Sequence, residues 1–318
     1  MGGRAVEPNI YKNTYYKGTL TNDAAECILS LRNESCMPAI KNSIYVLADY
    51  QVTELIEAGD AYIKEHKTLK GFDYKPAQPY DRGELRDEQT IGTAFMFFAG
   101  SALLGDEVGL GKTVETAALC NLVENVEEQA GKNFSFCFLT ENPTVPQIWK
   151  KMIKFTGKYV SVLTNAEKPR VDAWIEQNKN GQCVSLVGPH SLLNNAAFIL
   201  YCARHPFSVF IIDESAILKN SSTDTYKNAK AILQSHKRRI MLNATPLETE
   251  LRDFYNQLVL LDEFFMPSVT SFTKDYCTTS MQGGTYKVTG TKNEGIFKTA
   301  ISLRYLARTR KGLGATYK

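Results

Sequence analysis

The sequence predicts a doubly wound α/β domain, a mostly parallel sheet with helices on both faces. From about residue 85 short apolar, β-rich runs alternate with helical patterns, a glycine-rich turn follows an early run, and two adjacent carboxylates close a later one. The runs are Ala102 to Leu104, Phe134 to Thr140, Tyr159 to Leu163, Cys183 to Val187, Phe207 to Ile212 and Arg239 to Leu242. Helical patterns lie between them, as where Val114, Ala117, Ala118, Leu122 and Val126 recur at spacings of three and four. Sheets of this kind bind ligands outside the carboxyl ends of their strands, so the loops there are expected to carry function. Ahead of the domain, residues 71 to 84 (GFDYKPAQPYDRGE) read as a linker rich in glycine, proline and charge. They set off an accessory segment, residues 1–80, whose one predicted helix runs from Ile44 to His66.

Size and composition permit an enzyme. A chain of 318 residues can form two domains, or one large domain with an appendage, and bury a proper core. Hydrophobic residues at 43% and charged residues at 22% are close to globular averages. We find no apolar run suited to a bilayer or a signal peptide, which points to a cytoplasmic protein, or a nuclear one in a eukaryote, with no membrane partner. The seven cysteines form no CxxC pair, and Cys120 and Cys137 lie in apolar stretches, so neither disulfides nor zinc is expected. His190, His205 and His236 lack the paired spacing of a metal site and read as structural. Net charge is only +3, so any nucleic-acid contact must be local. Lysines 150, 151, 154 and 158, the Lys237-Arg238-Arg239 run, and Arg304, Arg308, Arg310 and Lys311 form basic clusters, each read first as a solvated face.

The strongest chemical signal is Gly105-Asp-Glu-Val-Gly-Leu-Gly-Lys-Thr113, after a short strand and before an amphipathic helix, the context a phosphate loop requires. Gly109 and Gly111 let the backbone aim its amides at phosphate oxygens around Leu110, Lys112 supplies positive charge, and the Thr113 hydroxyl can hold magnesium. The helix N-terminus adds its dipole. One position departs from the general pattern: Asp106 stands where glycine is expected, with Gly105 one residue earlier. Further on, Val209-Phe-Ile-Ile-Asp-Glu-Ser215 ends a buried strand in two carboxylates. Phosphoryl transfer uses such a pair, Asp213 for magnesium and Glu214 to orient and deprotonate the attacking water.

With these motifs in order, residues 85 to 311 resemble the first RecA-like lobe of superfamily 2 helicases, and within them the Swi/Snf-type DNA translocases. Leu103 to Thr113 is similar to that family's "DEMGLGKT" loop, including the aspartate that broke the general pattern. Leu85 to Gln89 resembles the stretch whose glutamine, here Gln89, reads adenine. Pro143 to Trp149, with Pro143 and Gln147, and Val187 to Ser191, with His190 and Ser191, fall where nucleic acid crosses the lobe. Asp213 to Asn220 corresponds to the "DEAH" box, with Ser215 and Ala216 replacing Ala-His. Leu242 to Leu247 is similar to the "LTGTP" coupling motif, with Asn243 and Ala244 replacing Thr-Gly and with Thr245 and Pro246 kept. Leu251 to Phe265 resembles the helix and loop that follow.

The resemblance implies Mg-ATP as ligand, duplex DNA as partner with RNA as the alternative, and a second lobe supplying arginines worth ~10³ to 10⁵ in rate. Tyr305 to Lys311 is similar to the "LRRTK" segment leading into that lobe, so Arg308 and Arg310 are expected on a connecting surface, with residues 312–318 opening the connector. The chain ends soon after, at Lys318, and reads as one cut at the lobe boundary, a naturally short protein being the alternative. On this reading the isolated chain is a monomer that binds nucleotide and hydrolyses it weakly or not at all. A nucleotide-dependent scaffold without hydrolysis is the second reading, and a P-loop kinase or GTPase, against which the motif order argues, the third. Met96 to Phe98 is expected as helix core. Trp149 reads as a hydrophobic anchor at least as readily as a stacking platform.

Overall fold

The computed structural model describes residues 36–66, 81–178, 184–244, 251–263, 268–282 and 285–313. In chain order the elements begin with α1 (Met37–Lys41), β1 (Ile44–Val46), α2 (Asp49–His66), β2 (Asp81–Gly83), α3 (Asp87–Ala99), β3 (Ser101–Leu104), α4 (Lys112–Gln129) and β4 (Phe136–Thr140). They continue with α5 (Val145–Thr156), β5 (Ser161–Val162), α6 (Lys168–Asn178), β6 (Leu186–Pro189), α7 (Ala196–Arg204), β7 (Val209–Ile212), α8 (Asp224–Gln234) and β8 (Arg239–Leu242). The last are α9 (Leu251–Leu261), α10 (Val269–Tyr276), the strands β9 (Cys277–Gln282) and β10 (Thr285–Thr291), α11 (Glu294–Ile301) and β11 (Tyr305–Leu306).

Seven strands pair, all in parallel, in the order β11-β3-β8-β7-β4-β6-β5. The expected doubly wound α/β sheet is therefore present, and successive residues of its strands feed opposite faces. On one face Leu104, Phe136, Phe138, Ile211 and Leu242 pack under α3, α4 and α5, through side chains such as Phe95, Leu119 and Met152. On the other, Leu103, Cys137, Phe210, Ile212 and Met241 pack under α6 to α9, through Trp174, Phe198, Ile232 and Phe254. Continuous apolar strands such as Val209–Ile212 are what a sheet covered on both sides needs.

All six expected strands are present, but with shifted ends. Those predicted from Phe134, Tyr159, Cys183 and Phe207 begin at Phe136, Ser161, Leu186 and Val209; Phe134, Tyr159, Val160 and Phe207 pack on the core ahead of the ladder without joining it. Cys183 itself lies outside the described residues. The helix predicted from Ile44 starts at Asp49. Ile44 to Val46 instead pair antiparallel with Asp81 to Gly83, at the end of the expected linker, a partner no local pattern reveals. Leu47 N then donates to Lys154 O at 3.0 Å, and Gln51 Oε1 caps the new helix by accepting from Ala48 N at 2.8 Å. The β9–β10 hairpin and the two-residue β11 were not expected.

Residues before position 58 contribute to the main core: Leu47, Val52 and Leu55 are buried in the same cluster as β3, β4 and β7. Leu55→Ala should therefore cost about 2–5 kcal/mol in urea unfolding, as truncations in a packed core do. A change near zero would mean that α2 merely rests against the surface.

Candidate functional site

Register brings the expected loops to one edge. Leu104 of β3 pairs with Leu242 of β8, Met241 with Ile212 of β7, and Ile212 with Leu139 of β4. The glycine-rich turn after β3 and the carboxylates after β7 thus emerge two strand spacings apart, on the order of 10 Å. Lys112 lies close enough to Asp213 to act on its charge.

In the loop expected to bind phosphate, Gly109 and Gly111 have φ of +89° and +105°, values L side chains rarely adopt, and α4 begins at the next residue, Lys112. The Lys112 ammonium donates to Asp106 O at 2.6 Å. Leu110 is buried, and its carbonyl accepts from Arg86 Nη2 at 2.7 Å and Gln89 Nε2 at 3.4 Å. A side chain at position 111 would run into the Gln89 amide, so this glycine is also needed for close approach. Thr113 is half-buried in the first helical turn. Gln89, Gly109, Leu110, Gly111, Lys112 and Thr113 are thereby gathered around one loop at a helix N-terminus, an arrangement suited to phosphate oxygens.

The acidic strand end is held from three sides. Asp213 Oδ2 accepts from Thr140 Oγ1 at 3.2 Å and Oδ1 from Glu214 N at 3.1 Å, while the Asp213 carbonyl accepts from His190 Nε2 at 2.7 Å. Burial pushes the Asp213 carboxyl up, opposed by the Glu214 amide and by Lys112, and burial pushes the His190 imidazole down. Because a carbonyl can only accept, His190 Nε2 is the donor in that bond. Glu214 has φ 46° and ψ 53°, a left-handed conformation that turns the chain sharply out of the strand. Ser215, at one of the two altered box positions, is buried and donates to Gln257 Oε1 on α9 at 2.8 Å. A lysine, a hydroxyl-bearing helix start and two carboxylates fit a magnesium triphosphate by donor type.

Around this edge Pro143 and Gln147 are exposed after β4, Ser191 is exposed after β6, and His190 is half-buried. Asn243 is buried, its N–H donating to Leu104 O at 3.0 Å; Thr245 and Pro246 lie outside the described residues. Trp149 is an anchor, packed on the core with its Nε1 donating to Val160 O. Met96 is fully buried as expected, but Phe97 and Phe98, at the end of α3, are only partly so. Lys154 and Lys158 of the first basic cluster pair with Asp49 and Glu124. His236 is buried, its pKa pushed down to about 4 by that burial.

The expectation for Arg308 is overturned. Its side chain is fully buried beneath the phosphate loop. Nε donates to Asp106 Oδ1 and Oδ2 at 3.0 and 3.1 Å, Nη2 bonds Asp106 Oδ2 and Glu115 Oε2, the latter at 2.9 Å, and Nη1 donates to Glu88 O. Asp106, the residue that breaks the general loop pattern, is thus the guanidinium's bidentate partner. Around it, Gly105 N donates to Leu306 O and Glu107 N to Arg308 O, and Arg310 Nη2 donates to Val108 O at 2.8 Å. Sequence reasoning missed this assembly: it read Asp106 as a mark of the resembled loop and assigned it no partner. Gly92 on α3 makes room for it, since a Cβ there would meet Glu115 Oε2 and Arg308 Nη2. With two carboxylates sharing one guanidinium out of water, burial raises the Glu115 pKa to about 8.

Comparison with known proteins matches residues 60–298 to the SNF2-related domain family. The chain is 27% identical over 198 residues to the ATP-dependent helicase fft3 of Schizosaccharomyces pombe, covering 59% of this chain and 20% of that protein. It is 23% identical over 216 residues to the DNA repair and recombination protein RAD54-like of Drosophila persimilis, covering 63% and 27%. Among solved structures it resembles the Sulfolobus solfataricus SWI2/SNF2 ATPase core in complex with dsDNA, with a TM-score of 0.55 at 20% identity, covering 74% of this chain and 47% of that one. That likeness shows the fold, and the chain spans less than half the length of each.

Two substitutions probe the buried cluster. Gly92→Ala should cost about 1–3 kcal/mol, the usual penalty of overpacking, in chemical unfolding. Folding raises the Glu115 pKa from 4.5 to about 8, so the folded state binds the extra proton between those values and stability falls as pH rises through them. His236, lowered from 6.5 to about 4, acts with the opposite sign below 6.5, which makes pH 6.5 to 8 the informative window. There the melting temperature of wild type should decline more steeply than that of Glu115→Gln; parallel curves would show that Glu115 is ionised throughout.

Proposed function

The chain belongs to the SNF2-related domain family, and from that premise we propose that it is the nucleotide-binding lobe of a two-lobed, DNA-dependent ATPase of the Swi/Snf type. Residues 81–311 form the lobe, residues 312–318 the start of a connector to a second lobe, and residues 1–80 an accessory segment whose stretch from Ile44 to Leu55 packs into the core of the lobe. The observation that carries this reading is that Lys112 and the Asp213-Glu214 pair leave the same edge of one sheet, from strands separated only by β8.

The phosphates of ATP lie against the amides around Gly109, Leu110 and Gly111, Lys112 leaves the Asp106 carbonyl to meet them, and Gln89 stands beside the loop for the base. Magnesium, when bound, would neutralise charge on the β- and γ-phosphate oxygens, with Thr113 and Asp213 as the side chains that hold it. Glu214 orients a water and takes its proton as the water oxygen bonds to the γ-phosphorus and the bond to the β–γ bridging oxygen breaks. Pro143, Gln147, His190 and Ser191 face duplex DNA through its phosphates, a contact largely blind to sequence. The His190 hydrogen bond to the Asp213 carbonyl joins that surface to the acidic strand end. Thr245 and Pro246 couple hydrolysis to movement. RNA in place of DNA is decided by competition between the two duplexes.

Lys112→Ala should weaken ATP binding by about 10- to 100-fold in calorimetry, the value of a charge-assisted contact to phosphate; unchanged affinity would mean the site is elsewhere. In a protein carrying both lobes, ATP turnover should rise with duplex DNA and vanish in Glu214→Gln. Nucleotide binding without any turnover in that protein would instead identify a nucleotide-dependent scaffold.

A further inference from the structure

At the other edge of the sheet, where β3, β7 and β8 begin, there is a cavity of about 500 Å³. Phe97 and Phe98 at the end of α3 and Val126 on α4, 48% exposed, give it an apolar wall. Lys132 and Lys237 are exposed at its margin, and Arg238 is half-buried within. Arg238 Nη1 donates to Phe97 O at 2.8 Å, and its guanidinium stands 5.1 Å over the Phe97 ring. None of the three cations forms an ion pair among the described residues. The one acidic residue of the lining, Glu127, accepts from the Ser208 hydroxyl and offsets part of the Arg238 charge, which leaves the two exposed lysines as the uncompensated cations of the rim. A guanidinium fixed beside aromatic rings in a partly desolvated cavity, with two further cations around it, is a receptor for an anion attached to an apolar group.

We propose that this cavity docks an acidic peptide segment of a partner protein, with one aliphatic or aromatic side chain against Phe98 and Val126 and neighbouring carboxylates on Arg238, Lys237 and Lys132. The volume suits an anchor side chain and its flanks. A nucleotide would crowd several phosphate charges together beneath the carbonyl ends of α3 and α4, whereas a peptide spaces its carboxylates along the chain and can meet the cations one by one. A duplex reaches the two lysines but offers no apolar group to the wall. The cavity lies one strand length, ~13 Å, from the nucleotide edge, so docking leaves that edge open and does not depend on the ATPase reading.

A random dodecapeptide library displayed on phage would be panned against wild-type protein and counter-selected on Lys237→Glu/Arg238→Gln. Should that variant lose its fold by circular dichroism, Lys132→Glu/Lys237→Glu, altered only at exposed positions, takes its place. Wild type should enrich peptides with Asp or Glu flanking one Leu, Ile, Phe or Trp. A fluorescein-labelled synthetic copy should bind about tenfold more weakly to the variant and lose as much when its anchor becomes serine. Its binding should be unchanged by Lys112→Ala and by ATP, which separates this site from the nucleotide site. No enrichment over the variant, binding indifferent to the anchor, or full displacement by duplex DNA would each overturn the proposal, the last by assigning the surface to nucleic acid.

Discussion

One guanidinium shared by two acidic side chains out of water is the interaction on which the glycine-rich edge of the sheet depends. Buried charges are tolerated only when paired and hydrogen-bonded, and Arg308 meets this with Asp106, Glu115 and the Glu88 carbonyl. These partners come from the start of the phosphate loop, the first turn of α4 and the first turn of α3. Removing the arginine would leave Asp106 and Glu115 in the interior without their shared hydrogen-bond donor. The loop's shape is therefore set by a residue about two hundred positions away in the chain as well as by its own glycines.

Ser215 and Glu214 show a similar dependence on the acidic side. The altered box position beside the carboxylates is not idle, since Ser215 is buried and hydrogen-bonded to Gln257 on α9. Asn256, the preceding residue on that helix, donates to Lys219 O at 2.6 Å, and Tyr226 OH donates to Asn256 O at 3.2 Å. The turn carrying Glu214 is thus fixed to α9, with a serine standing where the resembled box has alanine. The left-handed backbone of Glu214 persists because both neighbours are held, Asp213 by Thr140 and His190 and Ser215 by Gln257.

What could be read from the sequence was what is local. The glycine spacing of the phosphate loop, the apolar run ending in Asp213-Glu214 and the alternation of strands with helices are all written within windows of a dozen residues. The sheet order brought these together as the spacing implied. What stayed hidden was pairing at long range. Ile44 to Val46 read as the head of a helix until matched with residues 81–83, and Tyr305-Leu306 is too short to show a strand's period. Arg308 looked like one of several surface cations because its two acidic partners are distant in sequence. The misfit of Asp106 in the loop pattern was the only local trace of them.

The ladder between β11 and β3 has a mechanical side. Leu103, Gly105 and Glu107 each donate a main-chain hydrogen bond to the 304–308 segment, and the Arg308 head group sits directly beneath. Tension applied along the chain beyond Arg310 would load these bonds together in shear, not peel them apart one at a time. A pull there would reach the Val108–Gly109 apex through the Arg310 side chain before it disturbed the rest of the sheet.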